Sequence, residues 1–148
     1  MFEVAEPNEN PVFAFYRPSQ RPLVDRGGGA RTIPMLSPSS GAKELINGYT
    51  MFEPGTQIQE HFHNCEESIL IMEGAGIAMI DGEPVAVSAG DVTWVKAGVP
   101  HYFKNTSTTE TMKIFWTYTR PDATRTIVAT GDEKPIAAEH AKDKQIRA

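Results

Sequence analysis

The stretch GTQIQEHFHNCEES, residues 55–68, gathers His61, His63, Glu66 and Glu67 in a chain that has only four histidines. In an extended strand, residues two apart share a side, so His61 and His63 project together with Gln57 and Gln59, while Ile58, Glu60 and Phe62 take the other face. Burying two imidazoles is costly unless something accepts their lone pairs. A divalent cation is the commonest partner, with surface or hydrogen-bonded core histidines as the alternative. Asn64, Cys65 and Glu66 are enough to turn the chain and bring Glu67 back beside His63 on the next strand, whereas Glu66 has the wrong parity and faces outward. A third imidazole, His101, stands in GDVTWVKAGVPHYFKN (90–105), just after a turn built from Gly98 and Pro100. Cys65, inside the cluster, is either a thiol ligand or redox group, or simply a turn residue between strands.

These groups need a scaffold that holds strands rigidly. From about residue 44 to 120 the chain runs in short segments rich in β-branched and aromatic residues: ELINGYTMF, QIQEHFH, SILIM, GIAMI, PVAVS, DVTWV, HYFKN and ETMKIFWTYT. Turn signals separate them, and Asp81-Gly82 is a type I′ hairpin signal. The spacing predicts an all-β sandwich or small barrel over residues 41–120. Residues 1–40 carry six of the eleven prolines and the tract Gly27-Gly28-Gly29, which predicts an N-terminal arm with a flexible glycine linker. Within the arm, VFAFY (12–16) and RTIPML (31–36) are candidate edge strands for the body or for a neighbouring subunit. Residues 121–148 turn polar and predict a C-terminal tail with His140 as a solvated surface histidine.

A chain of 148 residues is long enough to bury roughly 70% of its unfolded surface without a crosslink, so a metal would serve function rather than folding. The net charge of -5 and the lack of a basic stripe argue against a nucleic-acid partner. No run of 18 or more apolar residues suggests a membrane span, and the acidic start lacks a signal-peptide core. One cysteine cannot form an intrachain disulfide, which fits a reducing, cytoplasmic compartment.

The stretches GTQIQEHFHNCEESILIMEG and GDVTWVKAGVPHYFKN resemble the two motifs of the cupin superfamily, G-x5-HxH-x3-E-x6-G and G-x5-PxG-x2-H-x3-N. Gly55, His61, His63, Glu67 and Gly74 match the first, and Gly90, Gly98, His101 and Asn105 the second; Lys96 stands where the family has proline. The resemblance implies a double-stranded β-helix, or jelly roll, enclosing one divalent transition-metal ion with His61, His63, Glu67 and His101 as ligands. It also implies that Asn105 and the glycines are structural, and that the protein is a homodimer.

Three neutral imidazoles and one carboxylate leave a divalent ion with net charge near +1, which favours an anionic small-molecule substrate. The ligand types fit Fe, Mn, Ni, Cu or Zn. An octahedral ion keeps two open positions, and Glu67 is placed to act as a catalytic base. Parity turns Met112, Ile114, Trp116 and Tyr118 inward, which nominates Trp116 and Tyr118, with Phe103 and Gln59, as the substrate-contacting wall. Arg17, Arg21, Arg31 and Lys96 are the candidate anion clamps. The expected function is a metal-dependent enzyme, foremost an oxygen-using dioxygenase. A redox-neutral isomerase, lyase or decarboxylase and a metal-holding small-molecule sensor are the alternatives.

Overall fold

A computed structural model describes residues 11–147; Ala148 and the first ten residues, including Pro7 of the expected arm, lie outside the described residues. Among the described residues there are thirteen strands. The ends of the chain supply β1 (Leu23–Gly27), β2 (Ala30–Pro34), β11 (Thr124–Ile127), β12 (Glu133–Pro135) and β13 (Gln145–Arg147). The middle supplies β3 (Ile46–Phe52), β4 (His61–His63), β5 (Glu67–Glu73), β6 (Ala75–Ile80), β7 (Glu83–Ser88), β8 (Val92–Val95), β9 (His101–Asn105) and β10 (Met112–Tyr118). They form two antiparallel sheets, one ordered β13-β1-β2-β3-β10-β5-β8 and the other β12-β11-β4-β9-β6-β7. The fold is the expected jelly roll.

Alternation builds the core. Along β10 every second residue is buried, namely Met112, Ile114, Trp116 and Tyr118, and β3 repeats the pattern with Ile46, Gly48, Thr50 and Phe52. These faces meet Ile69, Ile71, Ala78 and Phe103 from the neighbouring and opposite strands. Gly48 is required because a Cβ there would fall 2.5 Å from the Trp116 ring. At the β6–β7 hairpin, Asp81 and Gly82 both take left-handed φ values of 51° and 79°, as a type I′ turn demands. Asn105 is fully buried, donating to the carbonyls of Phe52 (3.0 Å) and Glu110 (2.8 Å), which pins the end of β9 in the structural role the motif implies.

Both chain ends depart from the arm-and-tail expectation. Gly27-Gly28-Gly29 is a tight β1–β2 hairpin turn rather than a linker, with all three φ values left-handed. β2 then joins β3 in the larger sheet, whereas residues 12–16 form no strand. The polar C-terminal segment folds back over the barrel: β11 pairs with β4, β13 with β1, and a 3-10 turn at Ile136–His140 plugs the end with fully buried Ile136. Backbone pairing of distant segments, not local hydrophobicity, orders these charged stretches.

The segment QIQEHFH contributes only its last three residues as strand. Residues 57–60 follow the Pro54-Gly55 turn with a single bridge, Gln57 to Lys104, so the alternation set by His61 and His63 does not extend back through them. Ile58 therefore turns inward and Gln59 outward, the reverse of the parity expectation.

Candidate metal centre

The two motifs converge between the sheets. His61 and His63 sit at the ends of β4, and His61 stands directly opposite His101 on β9. The turn at Asn64–Glu66 then carries the chain across to the other sheet, where Glu67 opens β5 opposite Tyr118. Replacing the family's proline by Lys96 leaves the second motif's turn intact, since Val99 N–H donates to the Lys96 carbonyl (3.3 Å) and Gly98 N–H to that of His63 (2.9 Å).

Each imidazole is fixed through its Nδ1. His61 Nδ1 lies 2.6 Å from the Gln59 carbonyl, His63 Nδ1 3.0 Å from that of Thr124, and His101 Nδ1 2.8 Å from that of Val99. A carbonyl only accepts, so each Nδ1 carries a proton, and Nε2 is the nitrogen left for a ligand role. The three rings are buried and able to place one ligand atom each within 4.8 Å of the others. His63 Nε2 is buried without a hydrogen-bond partner, an orphan that a cation would satisfy. Burial, reinforced by Arg125, His101 and His63, holds His61 well below its ordinary pKa and therefore neutral. The donor set fits a divalent metal ion.

Glu67 is placed beside the triad rather than among its convergent atoms. Its Oε1 lies 2.8 Å from His101 Nε2 and 3.5 Å from His63 Nε2, the latter too poorly disposed for a hydrogen bond. Burial works against its charge, but the facing His63 and His101 prevail and keep the carboxyl well below its usual range. Burial likewise opposes a proton on His101, yet the Glu67 carboxylate raises it. Both ring nitrogens of His101 thus face acceptors alone, and a cation at Nε2 would take the place of a proton. Metal uptake consequently weakens as pH falls.

The inner cavity of about 30 Å³ is bounded by the polar cluster and by Phe103, Trp116, Tyr118, Ile58 and Ile114. That space suits one or two waters. Phe103, Trp116 and Tyr118 line it as expected, with Trp116 Nε1 donating to Thr50 Oγ1 (3.0 Å) and Tyr118 packed on His63 at 4.5 Å between ring centroids. Burial pushes the Tyr118 hydroxyl well above its ordinary pKa, so it stays protonated. Gln59 is exposed, and its side chain lines outer pockets instead. Cys65 is a buried core residue whose thiol burial pushes up, and among the described residues it does not join the convergent imidazoles.

The expected clamps lie elsewhere. Arg21 donates to the Pro34 and Met35 carbonyls and lies over Tyr16, Arg17 lies over Phe15, Arg31 sits in β2, and Lys96 is exposed. The guanidinium beside the cluster belongs to Arg125, on β11 directly opposite His63 and 7% exposed. Its Nε lies 2.8 Å from Glu139 Oε2, and Arg26 Nη2 lies 3.3 Å from Glu139 Oε1. The run TRTIV (124–128), rich in β-branched residues, is the local sequence signal of β11.

His140 closes this end by stacking on Trp116, with ring centroids 6.1 Å apart. Burial, opposed by Glu139 and aided by Arg26, Arg125 and Arg21, lowers it to about 4. Because the unfolded imidazole takes its proton near 6.5 and the folded one only near 4, stability is retained above 6.5 and lost as pH falls across that window. Urea midpoints should show His140→Gln losing up to about 3 kcal/mol less than the parent over this range. Equal slopes would refute the assignment.

A protein-family model described as "Cupin domain" matches residues 48–118. Among curated proteins, the polyketide synthase CurC of Streptomyces cyaneus is 32% identical over 96 residues, covering 64% of this chain and 61% of that protein. The tetracenomycin polyketide synthase protein TcmJ of Streptomyces glaucescens is 28% identical over 120 residues, covering 80% and 78%. This chain spans 61% of CurC and 65% of a further relative, SchB of Streptomyces halstedii. Among solved structures, an RmlC-like cupin from Shewanella frigidimarina superposes with a TM-score of 0.65 at 20% identity, covering 76% of this chain and 95% of that one. Among the described residues, no helix is long and apolar enough to cross a membrane.

Proposed function

We propose that this chain, which a Cupin domain model matches over residues 48–118, is a mononuclear metal-dependent enzyme acting on a small anionic, enolisable substrate, with dioxygen as co-substrate. One observation carries this: three Nδ1-to-carbonyl contacts turn three Nε2 atoms toward a common buried point beside an ionised carboxylate. His61, His63 and His101 would hold the ion, with Glu67 as the fourth candidate ligand. A bound divalent ion supplies Lewis acidity and, for a redox-active metal, access to oxygen chemistry.

The chain's own groups supply the rest. Glu67, ionised and 2.8 Å from His101, is placed to accept a proton from a substrate carbon or hydroxyl. Tyr118, held protonated, is a hydrogen-bond donor to a developing oxyanion. Phe103, Trp116 and Ile114 wall the reacting space with apolar surface and so strengthen both interactions.

The adjacency of Glu67 and His101 also favours a redox-neutral reading, in which the pair only shuttles protons. The similarity to proteins named as polyketide synthase components is in keeping with it. The test uses purified protein loaded with Fe²⁺ or with Zn²⁺ and a panel of β-dicarbonyl and hydroxybenzoate compounds. Oxygen uptake stoichiometric with substrate loss, for the Fe²⁺ form alone, is expected. Anaerobic turnover with Zn²⁺ would replace the oxygenase with the redox-neutral reading, and no metal retained by either preparation would overturn both.

A further inference from the structure

Arg26, Arg125 and Glu139 form a partition. All three line the inner cavity, and the same three line an outer vestibule of about 330 Å³ on the other side. The vestibule is large enough for a ring-sized guest. It is lined by four basic residues, Arg26, Arg125, Lys134 and Lys144, against Asp132 and Glu139, so it is locally cationic on a chain of net charge -5. Within the partition, Arg125 Nη1 is buried without a hydrogen-bond partner, and the guanidinium meets Glu139 through a contact at Nε that is not aligned as a hydrogen bond. A buried guanidinium left partly unsatisfied in this way is built to receive a further acceptor.

Glu139 reaches the two arginines from a short 3-10 turn at Ile136–His140, and each of its oxygens is taken by a different guanidinium. Two cations spaced to take the two oxygens of one carboxylate are equally suited to a carboxylate arriving from outside. The inner cavity, at about 30 Å³, admits no such molecule while Glu139 stays in place. We propose that Arg26 and Arg125 are the recognition site for the carboxylate of a small carboxylic-acid substrate, and that Glu139 occupies this site until the substrate displaces it and opens the way from vestibule to histidines. Displacement exchanges one carboxylate for another and costs no net burial of charge. The proposal deepens the functional reading above and rests on it only in taking the bound acid to be the substrate.

The experiment is calorimetric titration of chelator-treated full-length protein with benzoate and, as a neutral isostere, benzamide. Benzoate should bind at one site at least about tenfold more tightly than benzamide, because the amide cannot satisfy two guanidinium groups. Arg125→Lys should weaken benzoate at least about tenfold, since a point charge cannot reproduce the planar fork. Glu139→Gln should tighten it, by removing the internal competitor. A purely structural Glu139 gives the opposite sign, because its loss would disorder the arginines and weaken binding.

Should Glu139→Gln fail to fold, the Trp94→Phe protein provides a second readout. It removes the exposed indole that donates to Glu66, leaving Trp116, stacked on His140, as the sole tryptophan reporter. Benzoate should then change its emission and benzamide should not. Indifference to both compounds, equal affinity for them, or weaker binding by a folded Glu139→Gln protein would each overturn the proposal. Because no metal is needed, failure here leaves the metal reading standing, and failure of metal loading leaves this one standing.

Discussion

Replacing His101 with alanine is expected to leave the purified protein with less than about a tenth of the metal retained by the parent, because even an outer hydrogen-bond partner of a ligand is worth about 10- to 100-fold in affinity. The same change should destabilise the protein before any metal is added. Glu67 is 3% exposed, and His101 Nε2 is its shortest partner at 2.8 Å. Stranding a buried carboxylate costs about 3 to 5 kcal/mol, a fall of about 10 °C in Tm for a domain of this size. Adding Glu67→Gln to His101→Ala should recover part of that loss, since an uncharged amide needs no cationic partner. The recovery should not extend to metal content. Elemental analysis beside thermal denaturation separates the two effects, and a single variant that keeps its metal would refute the assignment of His101.

Gly76→Ala should be the most damaging substitution outside the metal centre. Gly76 pairs with Asn105 across β6 and β9, and a Cβ there would collide with the Lys104 carbonyl and approach Met112 Sδ to 3.0 Å. A methionine sulfur can move aside; a backbone carbonyl held in a sheet cannot without parting the strands. Overpacking of this kind costs about 1 to 3 kcal/mol, and the rigid partner places this site at the upper end, with a drop in Tm of about 10 °C or insoluble expression. β9 also carries His101 and Phe103, so metal retention should weaken with it. Gly82→Ala is the control: it has no atom within 4 Å of the added methyl, and its φ of 79° costs about 1 kcal/mol. Equal losses at the two positions would show that sterics at Gly76 are not the cause.

The barrel and its histidines were legible because their signals are local. One alternation carries the inward face of β10, one dipeptide the β6–β7 hairpin, and one two-residue spacing the His61–His63 pair. Gln59 defies the strand parity of His61 and His63 because residues 57–60 follow the Pro54-Gly55 turn with only a single bridge, Gln57 to Lys104. Arg125 was missed for a different reason. It is 62 positions from His63 in sequence yet directly opposite it in the sheet, and nothing near it in the chain marks it as buried. Glu139 and His140 lie among alanines, lysines and acids whose composition speaks only of solvent. They are placed by the return of the chain, not by their neighbours.

That return has a consequence at the margin of the larger sheet. Among the described residues, Gln145–Arg147 form the strand that pairs along the outer edge of β1, and Arg147 holds them by donating to the Pro18 and Arg21 carbonyls. Removing them bares the edge of β1 at Leu23 and Val24, where an extended chain, including another copy's, can dock. The same cut loosens the segment bearing Glu139, so resistance to clumping and, on the proposal made above, control of entry to the histidines both depend on this one short strand.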